Sequence, residues 1–201
     1  LMNLAACFIV IIINQGLKKY GGDLAIGAFG IVNRLVFIVV MIVMGLNQGM
    51  QPIAGYNFGA KLYGRVNKVL RLTIIYATAV TTFGFLVGML VPDLVVGIFT
   101  SDAELTELSV TGLRITVMFF PIIGFQMVTS NFFQSIGMAG KAIFLSLTRQ
   151  MLILLPCLLV LPQFFGVAGV WYSMPVSDLL ASLIALVMLV CQFRKFRTSP
   201  L

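Results

Sequence analysis

Long apolar stretches without a charged residue recur along this chain, and they constrain its fold more than any other feature. The first, residues 1–17, reads LMNLAACFIVIIINQGL. A charged side chain at the centre of a bilayer costs at least about 2.5 to 3.5 kcal/mol, so charge-free stretches of this length are candidate membrane crossings. The chain is 60 % hydrophobic and 9 % charged, whereas soluble domains average about 45 to 50 % and 25 %. Water is therefore not its main solvent.

The apolar content also predicts how many times the chain crosses the membrane. Each crossing takes about 20 apolar residues, so 60 % of 201 residues suffices for about six helices. The predicted spans cover residues 1–17, 25–60 with Arg34 inside, 72–92, 115–140, 141–161 and 170–193. Lipid offers the backbone no hydrogen bonds, so each span must be a helix. The predicted fold class is all-α, a polytopic membrane helix bundle with six transmembrane helices.

The charges between the spans predict the orientation of the bundle, because cytoplasmic connections collect Lys and Arg. With the end of the chain placed inside, the inner connections carry nine basic residues and no acidic one: Lys61, Arg65, Lys68, Arg71, Lys141, Arg149, Arg194, Lys195 and Arg197. The outer connections carry two basic and five acidic residues: Lys18, Lys19, Asp23, Asp93, Asp102, Glu104 and Glu107. Both ends of this multi-pass segment are therefore predicted to be cytoplasmic, in the cell (inner) membrane.

Composition disfavours several classes of function. The sequence has no histidine, which removes Ser-His-Asp triads and His-ligated zinc. Its cysteines, Cys7, Cys157 and Cys191, are far apart and lack metal-binding spacing. The net charge of +7 comes without a basic block among stacking aromatic residues, so no nucleic acid is predicted as a partner. We expect neither an enzyme nor a bound cofactor.

With Lys141 and Arg149 assigned to the inner connection, three ionisable residues remain inside the predicted spans or at their edge, and such residues favour a functional role. Asp178 lies about a third of the way into the sixth span. Arg34 is about ten residues into the second span, whereas Arg114 is near the outer end of the fourth, from which it can reach the interface. An Asp–Arg pair that fixes helix packing is the alternative, and the sequence does not show whether either arginine reaches Asp178.

Polar amides and prolines are further candidates for a transport path or gate. Uncompensated amides are costly in hydrocarbon, so those of the second and fourth spans are expected to line a polar interior or to bond between helices: Asn47, Gln51, Asn57, Gln126 and Asn131. Prolines free a backbone carbonyl and kink a helix; those inside the spans are Pro52, Pro121, Pro156 and Pro175. Three GxxxG pairs, beginning at residues 45, 55 and 84, predict tight helix packing.

Residues 45–70, GLNQGMQPIAGYNFGAKLYGRVNKVL, resemble the multidrug and toxic compound extrusion (MATE) family. The resemblance extends to GGDLAIGAFGIVNR at 21–34, FFQSIGMAGKA at 132–142 and GVAGVWYSMPVSD at 166–178. MATE proteins are twelve-helix secondary transporters made of two six-helix halves, and this chain is similar to the second half. Residues 1–201 are thus expected to form a C-terminal six-helix bundle, a fragment whose N-terminal half, from the same polypeptide, is missing.

The resemblance also suggests residues of the transport site. The positions that match the family motif on the eighth helix are Asn47, Gln51, Pro52, Gly55, Asn57, Gly59 and Arg65, and those that match the twelfth are Pro175 and Asp178. One branch of the family binds its coupling ion through carboxylates on the seventh and tenth helices, but residues 1–17 and 115–136 contain no acid. The chain is closer to the branch whose principal carboxylate lies on the first helix, in the missing half.

The function implied by the resemblance is export of amphipathic or cationic drugs in exchange for H⁺ or Na⁺, by alternating access. Methionine and phenylalanine side chains could form a soft, adaptable wall for such substrates, the alternative being lipid-facing packing: Met41, Met44, Met50, Met118, Met127, Phe119, Phe120, Phe125, Phe132 and Phe133. Two other functions stay open, a flippase of related architecture for lipids or polysaccharide precursors, and a non-transporting structural or channel-forming bundle.

Overall fold

The computed structural model describes the backbone of residues 2–198 and the side chains of residues 7–193. Every regular element in this part of the chain is a helix, which confirms the predicted all-α class. In chain order the helices are Met2–Gly59, Tyr63–Leu90, Pro92–Gly97, Ala103–Val117, Phe120–Ser135, Ala139–Leu147, a π-helix at Thr148–Leu154, Leu155–Phe165 and Val167–Thr198. The side chains of the basic tail predicted to be cytoplasmic, Arg194, Lys195 and Arg197, lie outside the described residues.

These helices form six spans, which we number 1 to 6. The apolar stretch Cys7–Gly59 alone has 53 residues, about 80 Å of helix at 1.5 Å per residue and more than twice the thickness of the hydrocarbon core. It is broken at Gly22 into span 1 (residues 2–21) and span 2 (residues 23–59). Span 3 is Tyr63–Leu90, span 4 is the bent pair Ala103–Val117 and Phe120–Ser135, span 5 is Ala139–Phe165 and span 6 is Val167–Thr198.

Three glycines with positive φ separate consecutive spans; Gly137 (φ 77°) lies between spans 4 and 5, and the other two lie in predicted turns. Gly22 (φ 67°, ψ −162°) breaks the first helix within the predicted turn KKYGGD, in a conformation that glycine adopts at little cost. Gly166 (φ 58°) ends span 5, and its N–H donates to the carbonyl oxygen of Pro162 at 2.9 Å. Both connections agree with the turns predicted from the Pro and Gly residues of the sequence.

Span 4 begins at Ala103 rather than at the predicted residue 115. The acidic sequence that suggested a loop is instead a helix N-terminus, where carboxylates cap free backbone N–H groups and oppose the helix dipole favourably. Asp102 Oδ1 accepts hydrogen bonds from the N–H groups of Glu104 (2.9 Å) and Leu105 (3.2 Å). The two helices of this span meet at 55°, just before Pro121, which occupies the first helical turn where proline is tolerated.

Buried apolar side chains form two clusters at opposite ends of the spans. The cluster near the acidic connections, which the charge pattern predicts to be outer, is called the outer cluster, and the other is called the inner cluster. The outer cluster includes residues 9–17, 25–32, 113–123, 154–158 and 170–171. The inner cluster includes residues 43–54, 66–77, 128–145 and 185–189. Between them lie residues 146–153 of span 5 and 175–183 of span 6, so these two segments meet near the middle of the bundle.

The GxxxG pair at residues 84 and 88 packs as closely as predicted. A Cβ atom added to Gly84 would lie 2.9 Å from the side chain of Val39, and one added to Gly88 would lie 3.0 Å from Val117. In the second pair only Gly55 is confined, by a backbone carbonyl at 2.9 Å. The pair at residues 45 and 49 faces open space among the described residues, so the prediction of tight packing is wrong there.

The hairpin between spans 5 and 6 yields a test of packing. A Cβ atom at Gly169 would overlap the carbonyl of Leu161 and lie 2.6 Å from the backbone nitrogen of Pro162. We expect Gly169→Ala to destabilise the protein by about 1 to 3 kcal/mol, because backbone atoms cannot move aside as a flexible side chain can. Thermal unfolding measures the effect. Gly64→Ala, at an exposed helical site with open space, is the control, and equal stability of both variants would contradict the prediction.

Candidate functional site

An ion pair connects spans 5 and 6. The Arg149 guanidinium donates a hydrogen bond through Nε to Asp178 Oδ1, at 2.7 Å. The side chain of Asp178 is 7 % exposed and that of Arg149 is 32 % exposed. Of the acidic residues that the structure describes, Asp178 alone is buried, so the pair compensates the charge that the sequence placed inside the membrane.

The partner of Asp178 was missed by sequence reasoning. The charge pattern counts Arg149 among the basic residues of the inner connection, in the segment 141–149 that opens the fifth span, but it lies inside span 5 in the π-helix Thr148–Leu154. The other predicted inner residues whose side chains the structure describes lie at or near the connections between spans 2 and 3 and between spans 4 and 5, so the bias in charge persists among them: Lys61, Arg65, Lys68, Arg71 and Lys141. Neither Arg34 nor Arg114 contacts Asp178, and both side chains are exposed. Asp178 has no basic residue near it in its own predicted span, and this was the signal in the sequence that its partner would come from another span.

The pair lies near the middle of the bundle. Arg149 and Asp178 both belong to the segments between the outer and inner clusters. Ionisable side chains at that depth are costly unless they pair or face a cavity, and this pair does both.

Prolines shape the backbone on both sides of the pair. Pro156 has no N–H to donate to the carbonyl of Leu152, four residues earlier, and the turn before it widens into the π-helix. π-Turns within α-helices occur frequently at functional sites. In span 6, Pro175 lies inside the helix three residues before Asp178, where it likewise removes one backbone donor. Both prolines, which were predicted to distort their helices, therefore lie within about two helical turns of a member of the ion pair.

The pair lines a cavity of about 400 Å³. Every span except span 3 contributes to its wall, which combines apolar and aromatic side chains with Arg149, Asp178 and a few neutral polar groups. Representative wall residues are Ile13, Phe29, Phe37, Asn33, Phe120, Met127, Met174 and Ser177. Arg34 does not line this cavity although its neighbour Asn33 does. The arrangement is typical of a small-molecule site, which is mostly apolar with a few placed polar groups.

Two of the amide candidates, one from span 2 and one from span 4, form a separate polar pair away from the central cavity. Gln51 donates through Nε2 to Asn131 Oδ1 at 3.3 Å. Asn131 also donates to the carbonyl oxygen of Met127 at 2.9 Å. Gln51 and Asn131 are therefore brought together as an interhelical hydrogen bond, the structural alternative that the sequence left open.

Four other predicted candidates in this region lie outside the wall that the described residues form around the central cavity. Asn57 donates to the carbonyl oxygen of Ile53 at 2.8 Å, within its own helix. Asn47 and Gln126 are buried, and both amide atoms of Asn47 and Oε1 of Gln126 lack a hydrogen-bond partner among the described residues. Pro52 is exposed inside span 2.

The Gln51–Asn131 hydrogen bond can be tested by a double-mutant cycle with Gln51→Leu and Asn131→Leu. Interhelical hydrogen bonds of this kind contribute about 0.6 kcal/mol on average, and we expect a coupling energy of that size in thermal unfolding. Gln134→Leu replaces Asn131→Leu in the control cycle, because Gln134 is an exposed amide of the same helix. Coupling that is equal in the two cycles would show that the hydrogen bond contributes nothing specific.

The predicted methionine and phenylalanine wall divides into four groups. Phe120 and Met127 line the central cavity. Met50, Phe132 and Phe133 are buried in the inner cluster. The exposed members are Met41, Met44 and Met118, and the partly buried ones are Phe119 and Phe125. Only a minority of the predicted wall therefore borders the cavity.

Comparison with known proteins assigns the family. The family model MatE matches residues 1–159. The multidrug export protein MepA of Staphylococcus aureus (strain MSSA476) is 28 % identical over 186 residues, which cover 92 % of this chain and 41 % of MepA. The chain thus spans less than half the length of this curated relative.

Solved structures share the fold. The MATE multidrug transporter DinF-BH is 36 % identical with a TM-score of 0.85, over 98 % of this chain and 44 % of that one. An outward-facing multidrug resistance MATE family transporter of the MOP superfamily is 18 % identical with a TM-score of 0.90, over 98 % of this chain and 45 % of that one. The chain belongs to the MatE family, the multidrug and toxic compound extrusion family that its sequence motifs resemble.

Proposed function

We propose that this bundle is one half of a cation-coupled exporter of amphipathic or cationic drugs. The observation that carries the proposal is the central cavity, whose wall comes from five spans and holds one ion pair among the described residues. Its volume of about 400 Å³ falls in the range of sites for drug-sized ligands. The multidrug export and transport named for the relatives support the same function.

A second bundle of similar size completes the proposed transporter. The chain covers 41 % of MepA and 44 % of DinF-BH, which leaves room in such a protein for another six spans. We place both ends of the present bundle in the cytoplasm and the whole protein in the inner membrane, since basic residues collect on one side of it. The proposed partners are this N-terminal half, the lipid bilayer and the exported small molecules.

Alternating access follows if the coupling cation and the drug stabilise opposite-facing arrangements of the two bundles. The coupling ion, H⁺ or Na⁺, would bind mainly in the N-terminal half, because no carboxylate lies at residues 1–17 or 115–136 of this chain. Asp178 would contribute from this half by keeping the cavity electrically neutral beside Arg149. A cationic drug can then enter without meeting an uncompensated guanidinium.

Transport by the complete protein in proteoliposomes tests the proposal. Vesicles loaded with ethidium are given either an imposed pH gradient or an imposed Na⁺ gradient, and dye release is followed by fluorescence. We expect release that depends on one of the two gradients and stops when it is dissipated. Vesicles carrying residues 1–201 alone are the negative control. Gradient-independent release, or no release with either gradient, would overturn the assignment as a cation-coupled drug exporter.

A further inference from the structure

The two charges of the central ion pair are unequally accessible. The side chain of Arg149 is 32 % exposed, against 7 % for Asp178, and both border the cavity. The pair as a whole is neutral, but its guanidinium is the more accessible partner for a molecule in the cavity.

The guanidinium also retains unused donors. Arginine has five N–H groups in a planar fork, and the only hydrogen bond that Arg149 makes among the described residues is through Nε to Asp178. That bond fixes one edge of the group. Its two terminal nitrogens stay available to an oxygen acceptor, and carboxylate and phosphate oxygens match the fork geometry.

The electrostatic balance favours such an acceptor despite the nearby carboxylate. Coulomb energy falls with distance, so an oxyanion in contact with the terminal nitrogens interacts more strongly with the guanidinium than with Asp178 beyond it. The remaining wall, including Phe29, Phe37 and Ile13, suits an apolar body. The cavity thus has a donor for one oxyanion and apolar surface for the rest of the ligand.

We propose that Arg149 is a binding residue for the oxyanion of an amphipathic ligand, a carboxylate or phosphate group on an apolar body, and that Asp178 positions the guanidinium. This inference rests on the proposed export function and adds to it the chemical class that this half recognises. Cationic drugs would then depend on the other half for their charge contacts. The same oxyanion chemistry is present in free amphipathic anions and in anionic lipid headgroups.

Equilibrium binding of matched probes to the complete protein in nanodiscs tests this class without any ion gradient. The probes are 1-pyrenebutyrate, 1-pyrenebutanol and 4-(1-pyrenyl)butylamine, which share an apolar body and differ in charge. Binding is measured by dialysis and corrected with empty phosphatidylcholine nanodiscs. We expect pyrenebutyrate to bind at least about tenfold more tightly than pyrenebutanol, as expected for a charge-assisted hydrogen bond, and more tightly than the amine.

Variants connect the preference to Arg149. Arg149→Gln is expected to remove the tenfold preference for pyrenebutyrate over pyrenebutanol, a ratio of two affinities measured on the same preparation of the variant. Because that change leaves Asp178 without a partner, the double variant Arg149→Gln with Asp178→Asn is measured as well; it removes both charges together and should lose the same preference. Arg114→Gln, at an exposed arginine outside the cavity wall, is the matched control and should keep it.

The outcomes separate this inference from the proposed function. Equal binding of all three probes, tightest binding of the amine, or an unchanged preference in the double variant would overturn it, even where gradient-driven ethidium release persists. Loss of ethidium release with an intact pyrenebutyrate preference would instead contradict the export proposal alone. Nanodiscs containing phosphatidylglycerol distinguish the source: competition with pyrenebutyrate assigns the site to a lipid headgroup, and absence of competition assigns it to a free anion.

Discussion

Replacing Asp178 with asparagine is expected to lower the initial rate of gradient-driven ethidium release at least about tenfold, while the amount of folded protein changes little. The substitution keeps the size of the side chain but leaves the Arg149 charge uncompensated in the cavity. Two unit charges about 4 Å apart interact by about 4 kcal/mol at an effective dielectric constant of about 20, and a factor of ten needs about 1.4 kcal/mol. A cationic dye in the same cavity is therefore repelled strongly enough to slow its transport.

The control for this prediction is Asp93→Asn. Asp93 is exposed in the short helix Pro92–Gly97, away from the cavity wall, and its removal changes the net charge of the protein by the same amount. Transport rate is normalised to the folded protein recovered by size-exclusion chromatography. If Asp178→Asn lowers the yield of folded protein as much as it lowers transport, Asp178 is a packing residue and the prediction fails.

Removing the other partner should have the largest effect on stability. Arg149→Met leaves the nearly buried Asp178 carboxylate without a counter-charge, and breaking a buried ion pair in this way costs about 3 to 5 kcal/mol. Replacing both partners is far less costly, since two neutral groups need no charge compensation. We therefore expect a lower unfolding temperature for Arg149→Met, and recovery of at least half of the loss in the double variant with Asp178→Asn.

Thermal unfolding of the three variants and of the unchanged protein measures this prediction. Arg34→Met is the matched control, because Arg34 is exposed and forms no ion pair with Asp178. Additive effects, in which the double variant is less stable than Arg149→Met by the full cost of Asp178→Asn, would show that the pair does not contribute to stability as a pair.

The number of spans was predictable because a single physical cost determines it. Charges are excluded from hydrocarbon, so their positions divide the chain, and the break at Gly22 and the turn at Gly166 lie where the sequence has flexible residues. Span 4 shows the limit of this reasoning. Its acidic first turn caps a helix beyond the charge-free stretch, and the same charges that suggest a loop stabilise that end.

Which residues form the site was only half predictable. The depth of Asp178 indicated importance, but the identity of its partner depends on how spans 5 and 6 pack, and a paired charge no longer carries the cost that would end a span. The glycine pairs show the same limit. Residues 45 and 49 have the same spacing as residues 84 and 88, yet only the latter meet a neighbouring helix, because spacing defines a face without defining what lies opposite.

The wide turn in span 5 has a mechanical consequence. Near its inner end the span is tied to span 6 by a hydrogen bond from Lys141 to Gln192, and near its outer end Leu161 lies against Gly169. Migration of the π-turn by one residue would rotate the residue that it passes by about 100° around the helix axis, while both ties stay intact. Arg149 lies within this turn. A shift of the turn would therefore change the direction of its guanidinium while the contacts at both ends of the hairpin remain.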